Sequence, residues 1–301
     1  MPPALRSAFP ALFVLIWSTG FIIARYGMPH AEPMTFLVMR FALVLAVLLP
    51  IAWIWRAPWP RRDEAWRIAL AGLLLQAGYL GGVWAAVREG MGAGLVALIV
   101  GLQPILTAVL VTLAREPIHR NQWAGLVLGL TGVALVVWTK LNLVGLSLAS
   151  LLFAAIGLAS ITAGTLYQKR ACPSFDLRTG GIIQYAASAA LCLPLALLFE
   201  TRAVTWAPEL IGALIWSVLA LSIGAISLLF IMIREGAATQ VTSLLYLTPP
   251  TTALMAWLLF DEPITSLTFL GTLTTVMGVW LVVRPQSPHS SLPLNTQKDT
   301  P

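Results

Sequence analysis

Residues 116–137 read EPIHRNQWAGLVLGLTGVALVV, and residues 262–283, which lie 146 positions further along the chain, read EPITSLTFLGTLTTVMGVWLVV. The similarity extends backwards without a gap, so that residues 88–137 and 234–283 share 15 of 50 positions. The shared positions include the triplet Arg-Glu-Gly that opens each stretch, two later prolines and two later glycines. Unrelated apolar sequences would not keep proline and glycine in the same register, so the sequence predicts an internal duplication.

The composition is that of a protein embedded in a lipid bilayer. Apolar residues make up 58% of the chain and charged residues 10%, against about 25% charged residues in an average soluble domain. Crossing the hydrocarbon layer takes about 20 apolar residues per helix, and the apolar runs lack the alternation typical of barrel strands. The sequence therefore predicts an all-α integral membrane protein with ten transmembrane helices, at residues 8–25, 33–55, 67–87, 92–113, 121–139, 146–168, 178–199, 208–232, 238–259 and 265–283.

The duplication divides these ten helices into two repeats of five. Because five is odd, the second copy must enter the membrane from the opposite side, as in inverted-repeat transporters. The predicted units are a first repeat at residues 1–140, an inverted second repeat at residues 141–284, and a disordered cytoplasmic tail at residues 285–301. The tail is rich in Pro, Ser, Thr and Gln and has little apolar content.

The positive charges are distributed unevenly between the two sets of loops. Thirteen of the 18 Lys and Arg residues fall in the connections on the side of both termini. Cytoplasmic loops carry the excess of positive charge, so both termini are predicted to lie in the cytoplasm of a bacterial plasma (inner) membrane. The net charge of +6 reflects this topology, and no nucleic-acid partner is predicted.

The sequence gives no sign of an enzyme or of a bound cofactor. Cys172 and Cys192 have no spacing typical of a disulfide framework or a metal site. The three histidines, His30, His119 and His289, lie at helix ends or in the tail, far from any partner that could complete a catalytic or metal-binding motif.

Arg40 is the one cation inside a predicted helix. A charged side chain at the helix centre costs roughly 2.5–3.5 kcal/mol on insertion scales. Its guanidinium could anchor a substrate carboxylate or phosphate, or it could cap carbonyls or reach the membrane surface. Its approximate counterpart in the second repeat, Gln184, is also a long hydrogen-bond donor.

Further polar and aromatic residues are candidates for lining a cavity. Proline inside a helix frees a carbonyl one turn earlier and bends the helix, so that a neighbour, water or a ligand must satisfy the acceptor. The alternative for all of them is ordinary packing. The predicted cavity and substrate-binding residues are Trp17, Arg40, Gln76, Tyr79, Trp84, Gln103 and Tyr246, and the predicted helix-kink residues are Pro104, Pro249 and Pro250.

The Glu-Pro pairs, Glu116-Pro117 and Glu262-Pro263, recur in both repeats. A glutamate at a helix start faces exposed amide donors and the positive end of the helix dipole. The pairs are therefore predicted to be a structural motif of the repeat. A proton-coupling role is the alternative, but no Asp or Glu lies deep in a predicted helix.

The glycines Gly125 and Gly129 form a GxxxG face on the fifth predicted helix. Such a face lets two helix backbones approach closely. It is interpreted either as packing against another helix of the same chain or as the contact of a homodimer.

Several of these residues resemble a known family. Trp17-Ser18-Thr19-Gly20-Phe21, Arg40-Phe41 and the paired Glu-Pro dipeptides are similar to the EamA type of the drug/metabolite transporter superfamily. The resemblance covers about residues 8–284. It implies ten helices in two inverted repeats, a central cavity, and often the export of amino acids or other small metabolites. The second repeat has Ala163-Gly164-Thr165 in place of Trp-Ser-Thr, so the two halves line a path unequally.

The predicted function is that of an inner-membrane carrier that exports a small organic metabolite, such as an amino acid, by rocking one repeat against the other. The partners are that substrate and the lipid bilayer. The alternative is an exporter of hydrophobic, drug-like cations, which Trp17, Tyr79 and Trp84 could bind through cation–π contacts. An intramembrane enzyme, a channel and a receptor without transport are the rival classes, and the sequence favours none of them.

Overall fold

Helices form nearly all of the regular structure in this computed structural model, which describes residues 3–91, 93–116, 118–138, 147–235, 238–260 and 264–284. That part of the chain contains no β-strand, and a single antiparallel bridge pairs Ala31 with Val204. The all-α prediction is confirmed. The predicted tail after Arg284 lies outside the described residues.

The helices follow one another with short connections. In chain order they are α1 (Pro3–Gly27), α2 (Pro33–Ile54), α3 (Arg62–Gly72), α4 (Tyr79–Arg88), α5 (Ala93–Val100), α6 (Gln103–Leu113), α7 (Arg120–Val137), α8 (Leu148–Ala171), α9 (Leu177–Phe199), α10 (Pro208–Trp216), α11 (Ile226–Glu235), α12 (Ala238–Ser243), α13 (Thr248–Phe260) and α14 (Ser266–Val283). Three tighter or wider segments join consecutive helices: π-helical stretches at Leu73–Gly78 and Ser217–Ala225, and a 3-10 turn at Leu244–Leu247.

Six continuous helical stretches among the described residues are long and apolar enough to cross a membrane. They are Pro33–Ile54, Arg62–Arg88, Leu148–Ala171, Leu177–Phe199, Pro208–Glu235 and Ser266–Val283. Shorter apolar helices cover Ala8–Gly20 and Leu98–Leu113. The predicted runs at 92–113 and 238–259 are each divided, because proline near the middle removes an amide donor and interrupts the helical hydrogen bonds.

Glycine allows α7 and α14 to pack backbone against backbone. A Cβ atom added at Gly125 would lie 2.6 Å from the carbonyl oxygen of Gly278, and one added at Gly129 would lie 2.6 Å from the ring of Tyr246. These distances are too short for any non-bonded carbon contact. The GxxxG face is thus filled by helices of the same chain, and homodimerisation stays a prediction without support from this face.

The other large interfaces also join residues that are distant in sequence. Helix α2 packs along α9, and α4 packs along α8. Phe41 of α2 contacts Tyr185 of α9, with ring centroids 5.6 Å apart. Each of these interfaces joins the first half of the chain to the second.

We expect Gly125→Ala to lower the free energy of unfolding by about 1–3 kcal/mol, because the added methyl group overpacks the α7–α14 interface. Gly212→Ala is the matched control, since a Cβ at Gly212 meets no atom within 4 Å. The control should be neutral or slightly stabilising, because alanine favours the helix over glycine. Thermal unfolding of both variants in one detergent measures the difference, and equal melting temperatures would refute the packing argument.

Candidate functional site

Two helices are interrupted at corresponding positions of the duplication. Helix α5 ends at Val100 and α6 begins at Gln103, just before Pro104. In the second half the 3-10 turn ends at Leu247, just before the dipeptide Pro249-Pro250. A shift of 146 residues carries Gly101 onto Leu247. Interrupted backbone at membrane depth is tolerated where it is enclosed by protein or lines a cavity.

A pocket lies where these two interruptions meet the first and third apolar segments. Its cavity volume is about 40 Å³. Valine and leucine side chains form part of its wall, and the remaining lining residues are Trp17, Tyr79, Gly101, Tyr246, Thr248 and Pro249. The structure therefore brings together four of the residues that the sequence proposed for a cavity, namely Trp17, Tyr79, Tyr246 and Pro249.

Aromatic rings form one wall of the pocket. The rings of Trp17 and Tyr79 are nearly parallel, at an interplanar angle of 10°, with centroids 6.5 Å apart. Phe13 packs against Trp17 at a centroid distance of 5.2 Å. This packing fixes the orientation of the indole, so the wall is a rigid surface that suits an apolar or aromatic group.

Several buried polar atoms at this depth have no hydrogen-bond partner. The hydroxyl groups of Tyr246 and Thr248 are unpaired and belong to residues that line the pocket. Gln103 leaves its Oε1 atom unpaired just after the first interruption, and Thr107 leaves its hydroxyl unpaired one turn later. An unpaired buried polar group costs about 1–3 kcal/mol. These groups are therefore where a polar ligand or water gains most from binding.

Arg40 does not reach the membrane surface. The residue is 5% exposed, and its Nε atom donates a hydrogen bond of 2.8 Å to the hydroxyl of Ser222. The side chain is thus directed into the protein, and its role stays a prediction. Gln184, its counterpart, is buried and donates instead to Oε1 of Gln168 at 3.1 Å.

Six predicted cavity residues are not among those that line this pocket, namely Arg40, Gln76, Trp84, Gln103, Pro104 and Pro250. Trp84 packs against Phe36 with ring centroids 5.1 Å apart, in a separate cluster that includes Leu210 and Leu214. Gln103 donates from Nε2 to the hydroxyl of Thr165 at 3.3 Å. Their roles in substrate binding stay predictions.

The Glu-Pro motif is only partly within the described residues. Glu116 is exposed and forms an ion pair with Arg170 of α8 at 3.3 Å, while the cap position of α7 is occupied by His119. The other three residues of the motif, Pro117, Glu262 and Pro263, lie outside the described part of the chain.

A buried carboxylate that the sequence analysis did not consider lies at the start of α2. Glu200 follows α9, and its side chain accepts hydrogen bonds of 2.7 Å each from the backbone amides of Met34 and Thr35 and from the Thr35 hydroxyl. It satisfies the exposed amide donors of the α2 N-terminus. A glutamate directly after a long apolar run was the only sequence signal for this role.

Arg88 connects Glu200 to a second carboxylate. Its guanidinium contacts Glu200 at 3.3 Å and also pairs with Glu32. Glu32 in turn accepts hydrogen bonds from the Thr201 hydroxyl at 2.7 Å and the Arg202 amide at 2.9 Å. We call Glu32, Arg88 and Glu200 the Arg88 clasp. It joins the first and second halves of the chain beside the bridge between Ala31 and Val204.

Both carboxylates of the clasp act as acceptors. Burial acts to raise the pKa of Glu32, but hydrogen bonds from Thr201 and Arg202 and the charge of Arg88 outweigh it, so the pKa lies below its ordinary value. Glu32 is therefore ionised at neutral pH, and the clasp is held by charge as well as by hydrogen bonds.

Apolar helices long enough to span a bilayer, interrupted around an internal pocket, define a multi-pass membrane transporter. The chain belongs to the EamA-like transporter family, whose model matches residues 8–138 and 148–284. The resemblance seen in the sequence is thereby confirmed.

Individual relatives agree with this assignment. The chain is 28% identical over 278 residues to the uncharacterized inner membrane transporter YedA of Escherichia coli, covering 91% of this chain and 90% of the relative. It is 26% identical to the uncharacterized transporter YvbV of Bacillus subtilis, covering 94% and 92%. A solved protein crystal structure superimposes with a TM-score of 0.77 at 17% identity, covering 93% and 96%, which shows a shared fold.

We expect Tyr246→Phe to leave the melting temperature unchanged or to raise it, because the hydroxyl that it removes is buried without a partner. The matched control is Tyr185→Phe, which removes a hydroxyl that donates to the Ser222 carbonyl at 2.7 Å. The control should lower the free energy of unfolding by about 1 kcal/mol. A larger loss for Tyr246→Phe than for Tyr185→Phe would mean that the Tyr246 hydroxyl is satisfied within the protein.

Proposed function

We propose that this protein is a secondary transporter of the inner (plasma) membrane that exports amino acids or related small metabolites by alternating access. The observation that carries the proposal is the pocket at the two helix interruptions, with its aromatic wall and its unpaired hydroxyls on Tyr246 and Thr248. Pockets for small molecules combine apolar walls with a few polar groups in this way. That the relatives are named transporters points away from an enzyme.

The architecture that we propose is ten membrane-spanning helices in two inverted repeats, at residues 1–140 and 141–284. The two separate matches to the family model, at residues 8–138 and 148–284, support the division. The π-helical stretches support it as well, because a shift of 146 residues carries Leu73–Gly78 into the second stretch, Ser217–Ala225. The distribution of Lys and Arg supports cytoplasmic termini.

The substrate class follows from the chemistry of the pocket. Apolar and aromatic walls suit a hydrophobic side chain, while the unpaired hydroxyls suit polar groups. Arg40, a buried cation outside the pocket lining, suits an anionic group. A relative from Salmonella typhimurium is named "probable amino-acid metabolite efflux pump"; it is 24% identical over 160 residues, covering 53% of this chain and 52% of that protein. An amino acid carries both kinds of group.

The alternative is the export of hydrophobic cations. The observation that favours it is the aromatic wall of Trp17, Tyr79 and Tyr246, since ring faces attract cations. Arg40 opposes it, because it is a buried cation in the same helix bundle and no described carboxylate forms an ion pair with it. A cation in the pocket would be repelled by this guanidinium.

Alternating access requires that one side of the pocket open while the other is closed. In the proposed topology the Arg88 clasp lies on the outer face, where it ties the loop after α1 to the loop after α9. We propose that the clasp is the outer gate and that release of the exported substrate requires it to separate.

The primary test is counterflow in proteoliposomes with a panel of labelled amino acids and a panel of lipophilic cations. We expect saturable exchange of at least one amino acid and no exchange of cations. Trp17→Phe should weaken the apparent affinity about three- to tenfold, because it removes part of the aromatic wall. The control is Trp138→Phe, the same substitution at an exposed tryptophan. Exchange of cations alone would establish the alternative, and no exchange by folded protein would overturn both.

The gate is tested by a reversible cross-link. In a chain whose two free cysteines, Cys172 and Cys192, are replaced by alanine, Ala31→Cys and Val204→Cys introduce a pair at the antiparallel bridge. Bridged residues have Cα atoms about 4.5–5.5 Å apart, which suits a disulfide. Oxidation should abolish exchange and a reductant should restore it, whereas Ala31→Cys alone should be insensitive. Full exchange by cross-linked protein would show that the clasp is not a gate.

A further inference from the structure

Arg40 is a buried cation without a countercharge in the part of the chain that the structure describes. Its hydrogen bond from Nε to Ser222 uses one of five donors, and no described carboxylate lies within ion-pair distance of it. The described Asp and Glu residues lie at helix ends and in loops. A buried charge is costly unless it is paired, so the remaining donors of Arg40 are available to an anion that is not part of the protein.

Gln76 is a second incomplete group. It is fully buried, and neither its Nε2 atom nor its Oε1 atom has a hydrogen-bond partner. Exchanging the positions of the two atoms would not change this, so the conclusion does not depend on how the amide was oriented. Gln76 therefore offers one unsatisfied donor and one unsatisfied acceptor in the buried interior.

The duplication relates Gln76 to the partner of Arg40. A shift of 146 residues carries Gln76 onto Ser222. Both residues lie on π-helical stretches, Gln76 within Leu73–Gly78 and Ser222 within Ser217–Ala225. Single-turn π segments inside α-helices are frequent at functional sites. The two positions are thus equivalent in the duplication, and the residue in the second copy, Ser222, accepts the hydrogen bond from Arg40.

Tyr79 links both groups to the pocket. It follows Gln76 by three residues along the same continuous helical stretch. Phe41, which follows Arg40, and Ala77, which follows Gln76, belong to one buried cluster, and Tyr79 lines the pocket and faces Trp17. Gln76 thus belongs to the helical stretch that supplies Tyr79 to the aromatic wall, and Arg40 lies on the helix packed against that stretch.

We propose that Arg40 and Gln76 form a subsite for the charged end of a zwitterionic α-amino acid. Arg40 donates to the substrate carboxylate, the carbonyl of Gln76 accepts from the substrate ammonium, and the apolar side chain of the substrate lies against Trp17 and Tyr79. This inference rests on the proposed function and assigns its substrate class to particular residues.

The groups match a zwitterion better than a simple ion. A carboxylate needs donors and an ammonium needs acceptors, and Arg40 with Gln76 supplies both kinds. A lipophilic cation would leave Arg40 without a countercharge. The side chain of Gln76 is neutral, so it accepts from the substrate ammonium without adding a second charge to the site. With a zwitterion bound, the net charge of the site stays that of Arg40.

The test compares three probes that share one side chain. Phenylalanine is a zwitterion, its methyl ester keeps the ammonium but has no carboxylate, and hydrocinnamate keeps the carboxylate but has no ammonium. Each is measured as an inhibitor of counterflow and as a ligand by thermal shift of the purified full-length protein. For the wild-type protein we expect phenylalanine to bind more tightly than either analogue.

Two variants should separate the two contacts. Arg40→Gln should weaken phenylalanine about tenfold or more while changing the ester about twofold or less, because only phenylalanine uses the guanidinium. Gln76→Leu should weaken phenylalanine and the ester but leave hydrocinnamate unchanged. Arg40→Lys, which keeps the charge but not the planar fork, should restore part of the affinity.

The control variant is Thr162→Val, which changes a buried polar residue whose hydroxyl is already bonded to the Leu158 carbonyl of its own helix. It should alter the affinity for none of the three probes. If Arg40→Gln does not fold, the Gln76→Leu comparison still decides the ammonium contact.

The outcomes distinguish this subsite from the proposed function. If the wild-type protein exchanges amino acids but both variants weaken all three probes equally, the subsite is overturned and transport of amino acids stands. If the wild-type protein prefers the ester to phenylalanine, the zwitterion assignment is overturned in favour of cationic substrates. If it exchanges no amino acid, both proposals fail.

Discussion

The structure depends on one constraint: in hydrocarbon, each backbone amide and carbonyl must find its partner inside the protein. An uninterrupted helix such as α8 meets most of this requirement with its own backbone. The chain departs from it in a small number of places, at the π-helical stretches and at the interruptions before Pro104 and Pro249. Freed backbone groups at these places need other partners. The pocket lies among them because enclosed polar space is the environment in which such interruptions are stable.

The same places collect the polar side chains that have no partner of their own. Tyr246, Thr248 and Gln103 lie beside the two interruptions, and Gln76 lies on the first π-helical stretch. Each leaves at least one buried atom unsatisfied, which lowers the stability of the empty protein. Elsewhere in the described core, hydroxyl groups such as that of Thr162 bond to their own helix. Tyr246 and Thr248 line the pocket, whereas the Oε1 atom of Gln184 is unsatisfied on α9. Unsatisfied groups that line a pocket are the pattern expected where binding, and not folding alone, has determined the residues.

Two different kinds of contact join the halves of the chain. Between α7 and α14, glycines bring the backbones together, and such close packing does not tolerate even one added methyl group. At the Arg88 clasp, charged side chains meet near the ends of helices, and Arg88 is 40% exposed. Ion pairs open to water are weak because solvent competes for both partners. A transporter needs one interface that stays closed and one that opens. The α7–α14 packing suits the first role, and the Arg88 clasp suits the second.

The sequence by itself determined the duplication, the all-α membrane character and the family, because apolar length, charge distribution and proline-glycine register are properties of the chain. It also selected Trp17, Tyr79 and Tyr246, since aromatic residues at membrane depth stand out. Only the tertiary structure decided which candidates share a site. It separated Trp84 from the pocket, kept Arg40 inside on Ser222, and revealed Glu200 as the cap of α2. Such pairings join residues more than 150 positions apart, and helix packing alone sets them.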